Sequence, residues 1–325
     1  MIGPAGLLGS RPGSLREACG RAITDFADRF PNVVVLDADV AGGTGSHHFR
    51  SAYPERFIQC GIAEQNMMAM AAGLADFGYV PVVSTYAVFA TMRALEMVRN
   101  AIALPRMNVK ITGSHVGVDA GPDGATHQCI EDIGIMRSIP GLVVLSPADA
   151  RDMRRAVRAA LEYDGPVYLR TGRSPVPDVY AANEDLADFC IGKSDLLADG
   201  EDVCLVGTGV MVFRCLVARD LLSQQGISAA VVNMSSIKPA DIDLLSEMAR
   251  RTGAFVTAED HNIVGGLGSC VAEVVCTTCP VPQEMVGLRD TFAESGEPEE
   301  LAKKFGLMPE NIVEAARRVL RRKRL

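Results

Sequence analysis

Short apolar runs alternate with helical periodicity along this chain, and that alternation limits the fold more than any other feature. Apolar runs of four to six residues indicate strands at 33–37, 79–84, 107–112, 142–145 and 166–170. Between them, apolar residues recur at helical spacing at 87–103, 130–137 and 148–163. Because near-continuous apolar strands are usually covered on both faces, the sequence predicts a parallel, doubly wound sheet.

The alternation resumes after Ser174–Asp178 and the polar residues that follow, which form the best candidate for a linker. Strands are then predicted at 202–207, 227–232, 254–258 and 284–288, and helices at 210–225, 241–251, 269–277 and 309–322. We therefore predict an α/β protein with two doubly wound domains and mainly parallel sheets. The expected divisions are a flexible N-terminus at 1–13, domains at 14–175 and 191–325, and a linker at 176–190.

Two helix starts carry capping signals. Ser14 and Glu17 form the pattern of a capping box, which predicts a helix that runs to about Phe30. Ser146 and Pro147 are placed to cap the helix at 148–163 and to occupy its first turn.

Composition excludes several classes of protein. With 32 basic and 40 acidic residues the net charge is −8. The sequence has no basic stripe with interleaved aromatic residues, which argues against nucleic acid as the main partner. No apolar run reaches membrane-spanning length, and the start has no secretory pattern.

Nine cysteines, mostly inside apolar runs, favour reduced thiols and a cytoplasmic location. The pair Cys276 and Cys279 has redox or metal spacing without a second pair, and we interpret it as structural.

Glu64 is the first candidate for chemistry, because it opens a helix that is apolar on most of its circumference. Met67, Met68, Ala71 and other apolar residues follow it at helical spacing. A carboxylate at the entrance of such a helix is expected to be partly dehydrated. The alternative is that Glu64 only complements the helix dipole, which is worth under about 1 kcal/mol.

A polar loop at 114–127 is the second candidate. It carries His115 and His127 at or near its ends, with Asp119, Asp123 and three glycines between them. The loop leaves the carboxyl end of a predicted strand, where ligands bind in open α/β sheets. A metal site is conceivable, although no further ligand spacing supports one. For His47 and His48 we favour structural hydrogen bonds.

Several motifs resemble those of transketolases, in the order and spacing expected of that family. The residues 123–128 (DGATHQ) are similar to a D-G-P-T-H-Q signature, with Ala125 in place of proline. The residues 84–89 (STYAVF) resemble S-T-F-x-x-F, and 57–75 resembles the helix that carries the catalytic glutamate. The segments 237–239, 258–261 and 265–268 resemble the family's C-terminal domain. The chain thus looks like the C-terminal half of a transketolase over nearly its whole length.

The resemblance implies thiamine diphosphate as cofactor. Glu64 would bond the ring nitrogen of its aminopyrimidine and favour the imino form that removes the thiazolium proton. Tyr86 and Phe89 would pack on that ring, since aromatic side chains stack well on a flat heterocycle. Met92 falls where some members have a third aromatic residue, which implies a looser pocket.

The resemblance also implies a sugar-phosphate site. Arg16, His115 and Arg173 would lie at the phosphate end, where guanidinium groups offer bidentate donors. Asp123 would lie near a substrate hydroxyl, and His127 near the reacting carbonyl. Gly43 stands where some members add a serine, and Thr44 or Ser46 could compensate. No metal ligand is expected in this chain.

The family binds the diphosphate and its divalent metal in a second kind of domain, with a G-D-G then N signature that is not found in these 325 residues. We therefore expect a β-type subunit that is active only with an N-terminal-half partner, which holds Mg²⁺ or Ca²⁺, in an α2β2 assembly. The expected reaction transfers a two-carbon ketol unit from a ketose phosphate to an aldose phosphate. The alternatives are a 2-oxoacid dehydrogenase β subunit, half of a deoxyxylulose-phosphate synthase, or a non-catalytic regulatory subunit.

Overall fold

The computed structural model describes residues 12–180 and 187–323, so most of the expected flexible N-terminus lies outside the described residues. The strands are β1 Gly13–Ser14, β2 Val33–Asp37, β3 Phe57–Gln59, β4 Val80–Tyr86, β5 Lys110–Ser114, β6 Val143–Leu145, β7 Val167–Thr171, β8 Pro175–Val176, β9 Asp195–Ala198, β10 Val203–Gly207, β11 Ala229–Asn233, β12 Ser236–Lys238, β13 Phe255–Asn262 and β14 Gln283–Leu288. The predicted fold class is confirmed: the molecule is α/β with mainly parallel sheets.

The helices lie between these strands. They are α1 Leu15–Phe26, α2 Ala41–Thr44, α3 His47–Ala52, α4 Glu64–Asp76, α5 Leu95–Met97, α6 Asp132–Ser138, α7 Ala150–Glu162, α8 Met211–Ser223, α9 Ile242–Thr252, α10 Leu267–Thr278, α11 Pro298–Lys304 and α12 Pro309–Lys323. Wider or tighter helical turns occur at Pro54–Arg56, Phe89–Arg93, Val98–Ala103 and Gly117–Asp123.

The larger sheet has seven strands in the order β12-β6-β7-β5-β4-β2-β3, and the smaller has five in the order β14-β13-β10-β11-β9. Each is parallel except at one edge, where β12 and β9 pair antiparallel with their neighbours. A two-stranded antiparallel sheet joins β1 to β8. Strand β12 lies between β11 and β13 of the smaller sheet in sequence, yet it completes the larger sheet, so the chain crosses over to the larger unit and back.

Both faces of the larger sheet are buried, as the near-continuous apolar strands predict. Along β2, Val33 and Val35 join a core with α1 and α7, whereas Val34 and Leu36 face α4. The second of these cores continues into the other unit, where it includes Val206 and other buried residues of β10, α9 and α10. The two sheets therefore share one continuous apolar layer.

Three local predictions were wrong. Ser14 precedes α1 but makes no capping bond, and the Glu17 carboxylate binds His48 instead of the helix start. Helix α7 begins at Ala150 and is capped by Asp149, which accepts a hydrogen bond from the Asp152 amide at 2.8 Å. The predicted helix at 87–103 is divided into widened turns around α5.

A buried ion pair lies where the two units meet. The guanidinium of Arg170, in β7, donates to an oxygen of Asp132 at 2.8 Å and to the carbonyl of Asp260 in β13 at 2.6 Å. Tyr168 donates to the same Asp132 oxygen at 2.8 Å. All of these side chains are buried. The contact ties α6 and the larger sheet to the strand that carries Asp260.

The cysteines of the described residues are free thiols, and five of the nine are buried. Cys276 is exposed and Cys279 half-buried, with no bond between them. Within 12–180 and 187–323, no helix has both the length and the apolar character that a bilayer crossing requires.

Candidate active site

The residues predicted for the site gather at the carboxyl ends of the central strands. Tyr86 ends β4 and lies opposite Ser114, which ends β5, so His115 follows at the same edge. Arg173 follows the end of the adjacent strand β7. The carboxyl ends of parallel strands form the crevice in which open α/β sheets bind ligands. The larger sheet thus brings together three predicted residues that lie far apart in the sequence.

Aromatic and imidazole rings form the floor of this crevice. The rings of Tyr86 and Phe89 stack at 24° with centroids 6.0 Å apart. His115 lies 4.0 Å from the Tyr86 ring, and His127 meets the Phe89 ring edge-on at 5.5 Å. Offset stacks and edge contacts at these distances are favourable for rings. The four side chains are therefore one contiguous group, which joins the predicted cofactor residues to the predicted substrate residues.

Glu64 reaches the same region from the first turn of α4. Its side chain is only 3% exposed, and its Oε2 accepts a hydrogen bond from Nη1 of Arg93 at 3.3 Å. The other carboxylate oxygen accepts no hydrogen bond from the described residues. A buried carboxylate that keeps an unused acceptor is suited to a ligand that donates.

Arg93 was not recognised from the sequence. Its guanidinium lies 4.9 Å from the centroid of Phe89 while it pairs with Glu64, and half of its side chain is exposed. A planar cation therefore covers part of the aromatic ring next to the carboxylate. Its position four residues after Phe89, in a helical pattern, was the available signal. Met92, on the same turn, is 40% exposed, and none of the described ring contacts includes it.

Charged groups lie at the other end of the crevice. Oδ2 of Asp123 is 3.6 Å from Nε2 of His115 and 3.9 Å from Nε of Arg173. Arg16, in α1, donates from Nη1 to the carbonyl of Gly43 at 2.9 Å, and its buried Nε has no partner among the described residues. This end of the crevice therefore contains two guanidinium groups and the carboxylate of Asp123, and the charge of Asp37 also acts there.

His115 is held as a neutral imidazole. Burial and the charge on Arg16 lower its pKa from 6.5 to about 4, and Asp123 opposes both effects. The ring nitrogen Nδ1 lies 2.9 Å from the hydroxyl of Ser114, which fixes the orientation of the ring. His115 therefore offers a neutral hydrogen-bonding group at pH 7 rather than a cation.

The smaller sheet supports the loop that carries Asp123. The amide of Val118 donates to Oδ1 of Asp260 at 3.0 Å, and Gln128 donates to the carbonyls of Gly121 and Glu294. Gly117 has a positive φ of 62°, and a Cβ there would lie 2.0 Å from the Asp260 carboxylate. Only glycine fits that turn. A role for the second unit, which the sequence left open, is thus to hold the polar loop in place.

The backbone amides of the glycine-rich helix start at 265–268 bind a carboxylate of the protein itself. The amides of Leu267 and Gly268 donate to the two oxygens of Glu259 at 2.6 and 2.9 Å. Burial raises the pKa of Glu259 to about 7, against the effect of these two bonds. The amides at this helix start are therefore used by a side chain of the protein itself.

His47 and His48 make structural hydrogen bonds, as predicted. His47 approaches the carbonyl of Ala41 at 3.3 Å, and His48 lies 2.7 Å from the Glu17 carboxylate. Ligand atoms of Glu17, His47 and His48 lie within 4.8 Å of one another. Arg21 also contacts His48 at 3.5 Å, and this cation makes the cluster less suited to a metal ion.

Comparison with known proteins relates this chain to a protein family. The sequence model of the transketolase pyrimidine-binding domain matches residues 12–178, and that of the transketolase C-terminal domain matches 192–312. The chain belongs to the transketolase family. The motifs at 57–75, 84–89 and 123–128 fall within the first of these matches, and the segments at 237–239, 258–261 and 265–268 within the second.

Relatives of similar length exist in other organisms. A putative transketolase C-terminal section from Methanocaldococcus jannaschii is 43% identical over 300 residues, which covers 92% of this chain and 93% of the relative. A 6-deoxy-6-sulfo-D-fructose transketolase subunit from Clostridium sp. (strain MSTE9) is 40% identical and covers 95% of each chain. Among solved structures, a split-gene transketolase described as an inactive β4 tetramer is 44% identical, with a TM-score of 0.88 over 96% of this chain and 100% of that one.

Proposed function

We propose that this chain is the β-type subunit of a thiamine diphosphate-dependent transketolase, which transfers a two-carbon ketol unit from a ketose phosphate to an aldose phosphate. The observation that carries the proposal is the continuity of the crevice. Arg93 contacts both Glu64 and the ring of Phe89. The aromatic rings in turn contact His115, which lies next to the charged cluster of Arg16, Asp123 and Arg173. One end suits a heteroaromatic ring, and the other suits an anionic sugar.

The residues present fit the aminopyrimidine end of thiamine diphosphate. Glu64 offers a buried acceptor with one unused oxygen, and Tyr86 and Phe89 offer stacked aromatic faces close by. The cofactor supplies the electron sink for the reaction. Glu64 would hold a proton at the ring nitrogen, and the aromatic pair would hold the plane of the ring. Met92 would border the pocket without stacking.

The other residues would bind and orient the sugar. His127, edge-on to Phe89, would donate to the oxygen of the reacting carbonyl. Asp123 would accept a hydrogen bond from a substrate hydroxyl. Arg16, His115 and Arg173 would bind the anionic end, the arginines by charge and His115 by a neutral hydrogen bond.

The site would be completed by an N-terminal-half subunit that holds the diphosphate through Mg²⁺ or Ca²⁺, in an α2β2 assembly. The M. jannaschii relative is a C-terminal section of similar length, and the solved β4 tetramer is described as inactive. Both observations support a β chain that needs a second polypeptide for activity. The cytoplasm is the compartment we propose for the enzyme.

Calorimetric titration with thiamine diphosphate and Mg²⁺ tests the proposal. We expect tight binding to a mixture of this chain with its N-terminal-half partner, and none to this chain alone. The mixture should then transfer a ketol unit from fructose 6-phosphate to an aldose phosphate. Tight binding to the chain alone, or no transfer by the cofactor-loaded mixture, would contradict the proposed division of the site.

Replacing Arg93 by methionine should raise the affinity of the assembled enzyme for thiamine diphosphate. The guanidinium occupies both Glu64 and Phe89, the two groups assigned to the pyrimidine ring. A half-exposed ion pair is worth about 0.2–1 kcal/mol, so the gain should be up to about fivefold. Arg99→Met is the control, since Arg99 contacts only Asn100 among the described side chains. Weaker binding by Arg93→Met would show that Arg93 helps to hold the cofactor.

Replacing His115 or Arg173 by alanine should raise the KM for phosphorylated sugars more than for their unphosphorylated counterparts. A hydrogen bond to a charged group contributes about 1.5–3 kcal/mol, which corresponds to a KM about 10–100 times higher. Because the pKa of His115 is about 4 and the second pKa of a phosphate monoester is about 6, the contribution of His115 should not vary between pH 7 and 8. Arg154→Ala, on the exposed face of α7, is the control. Equal effects on both kinds of sugar would argue against a phosphate site here.

A further inference from the structure

The hydroxyl of Tyr86 lies beside Gly43, whose carbonyl accepts a hydrogen bond from Arg16 at 2.9 Å. The charges of Arg16, Arg173, Asp123 and Asp37 all act on this hydroxyl. It makes no hydrogen bond within the part of the chain that the structure describes, although polar groups surround it. A hydroxyl without a protein partner in a half-buried polar crevice is available to a ligand.

The same hydroxyl explains why residue 43 is glycine. A Cβ at Gly43 would lie 2.4 Å from the Tyr86 oxygen, and 2.9 and 3.1 Å from two carbons of its ring. No side chain fits at 43 while the hydroxyl stays where it is. The motifs that this chain resembles have phenylalanine at the position of Tyr86, and some members have serine at the position of Gly43, so this sequence departs from them at both positions. The close approach of the Tyr86 hydroxyl to Gly43 links the two departures sterically.

We infer that Tyr86 is a specificity-determining residue, whose hydroxyl binds the anionic end of the sugar in place of the missing serine side chain. The inference rests on the proposed function and extends it. The ligand group would be a terminal phosphate or sulfonate, because both present tetrahedral anionic oxygens to the donors of this cluster.

The protonation of Tyr86 agrees with this role. Burial raises its pKa above the usual value of 10, and the charge on Asp123 raises it further. The phenol therefore stays protonated at neutral pH and can donate to an anion. Its ring lies against His115, the neutral member of the cluster, so the two side chains would approach the same group from adjacent directions.

The test uses the assembled enzyme with Glu64→Gln in every sample, so that substrate binds without turnover. Calorimetry would compare fructose 6-phosphate, 6-deoxy-6-sulfofructose and fructose, which differ only at the terminal group. Tyr86→Phe should weaken binding of the preferred anionic ketose by about tenfold or more, since a hydrogen bond to a charged group is lost, and should leave fructose within about twofold. Tyr163→Phe, at the opposite end of β5, is the matched control.

The preference of the enzyme with intact Tyr86 for phosphate or sulfonate identifies the natural anion. Equal affinities of the Tyr86→Phe and control enzymes for both anionic ketoses would overturn the inference. Transfer activity without the Glu64→Gln change is measured separately. If ketol transfer is absent but Tyr86→Phe still weakens anion binding, the proposed reaction fails and the binding assignment stands.

A thermal-unfolding cycle on this chain tests the coupling without any ligand. Gly43→Ser alone should lower the Tm, because the serine Cβ overlaps the Tyr86 hydroxyl. In the double variant Gly43→Ser, Tyr86→Phe, only ring carbons of residue 86 lie near the new Cβ. A small shift of the ring then removes the overlap. The Tm should then recover, and binding of the anionic ketose should return in the assembled enzyme. If the single variant Gly43→Ser had the same Tm as the double variant with Tyr86→Phe, the steric argument would be overturned.

Discussion

Replacing Glu64 by glutamine should reduce ketol transfer by the assembled enzyme by about 10²–10⁴-fold, the range for loss of a proton-transferring side chain. Glutamine keeps the size of the side chain at this buried position, which is only 3% exposed. It cannot take up and return a proton at the pyrimidine ring nitrogen. The loss should therefore appear in kcat, and the KM for the sugar should change little.

Assembly with the partner subunit should survive this substitution, as measured by light scattering. The Tm of this chain should fall by little, since the carboxylate has one half-exposed partner, Arg93. Gln65→Glu is a useful control, because it adds a carboxylate at the neighbouring exposed position of α4. Near-normal turnover by the Glu64→Gln enzyme would remove the main assignment of this site.

Replacing Arg170 by methionine should cost about 3–5 kcal/mol of unfolding free energy. The substitution leaves the buried carboxylate of Asp132 without its cation, and removal of one member of a buried pair is strongly destabilising. It also frees the Asp260 carbonyl that Arg170 binds between the two units. Denaturant unfolding of this chain measures the effect, and the Tm should fall by on the order of 10 °C.

Arg158→Met is the matched control, because its ion pair with Glu162 is 37% and 40% exposed on the two side chains. Such a pair is worth about 0–1 kcal/mol, so the control should lose little stability. Adding Asp132→Leu to Arg170→Met removes both charges, and the double variant should be more stable than Arg170→Met alone. A loss from Arg170→Met no larger than that from Arg158→Met would contradict this account.

Strand positions were predictable because both faces of the sheet are buried. The run at 33–37 has no polar residue until Asp37, and the structure gives β2 those same bounds. Helix ends were less predictable, since several side chains compete for each free amide. Asp149 caps α7 where Ser146 was expected, and nothing local in the sequence ranks one above the other.

Motifs were enough to propose residues of the candidate site, but not to predict the contacts that folding makes between distant residues. Glu64, Phe89 and His127 came from sequence patterns. The role of Arg93 as partner of Glu64 depends on how α4 packs against the turn at 89–93, which periodicity does not specify. The support of the polar loop by Asp260 depends on docking of the two sheets, and 142 residues separate Asp260 from Val118.

The sequence by itself determined the α/β class, the order of the main strands and helices, and the residue types of the crevice, because periodicity and short motifs are local properties of the chain. Only the tertiary structure decided which groups meet. It placed the Tyr86 hydroxyl against Gly43, paired Arg170 with Asp132, and sent β12 back to the larger sheet. These contacts arise from close packing between elements distant in sequence. The hydroxyl of Tyr86, for example, leaves no room for a side chain at Gly43 in α2.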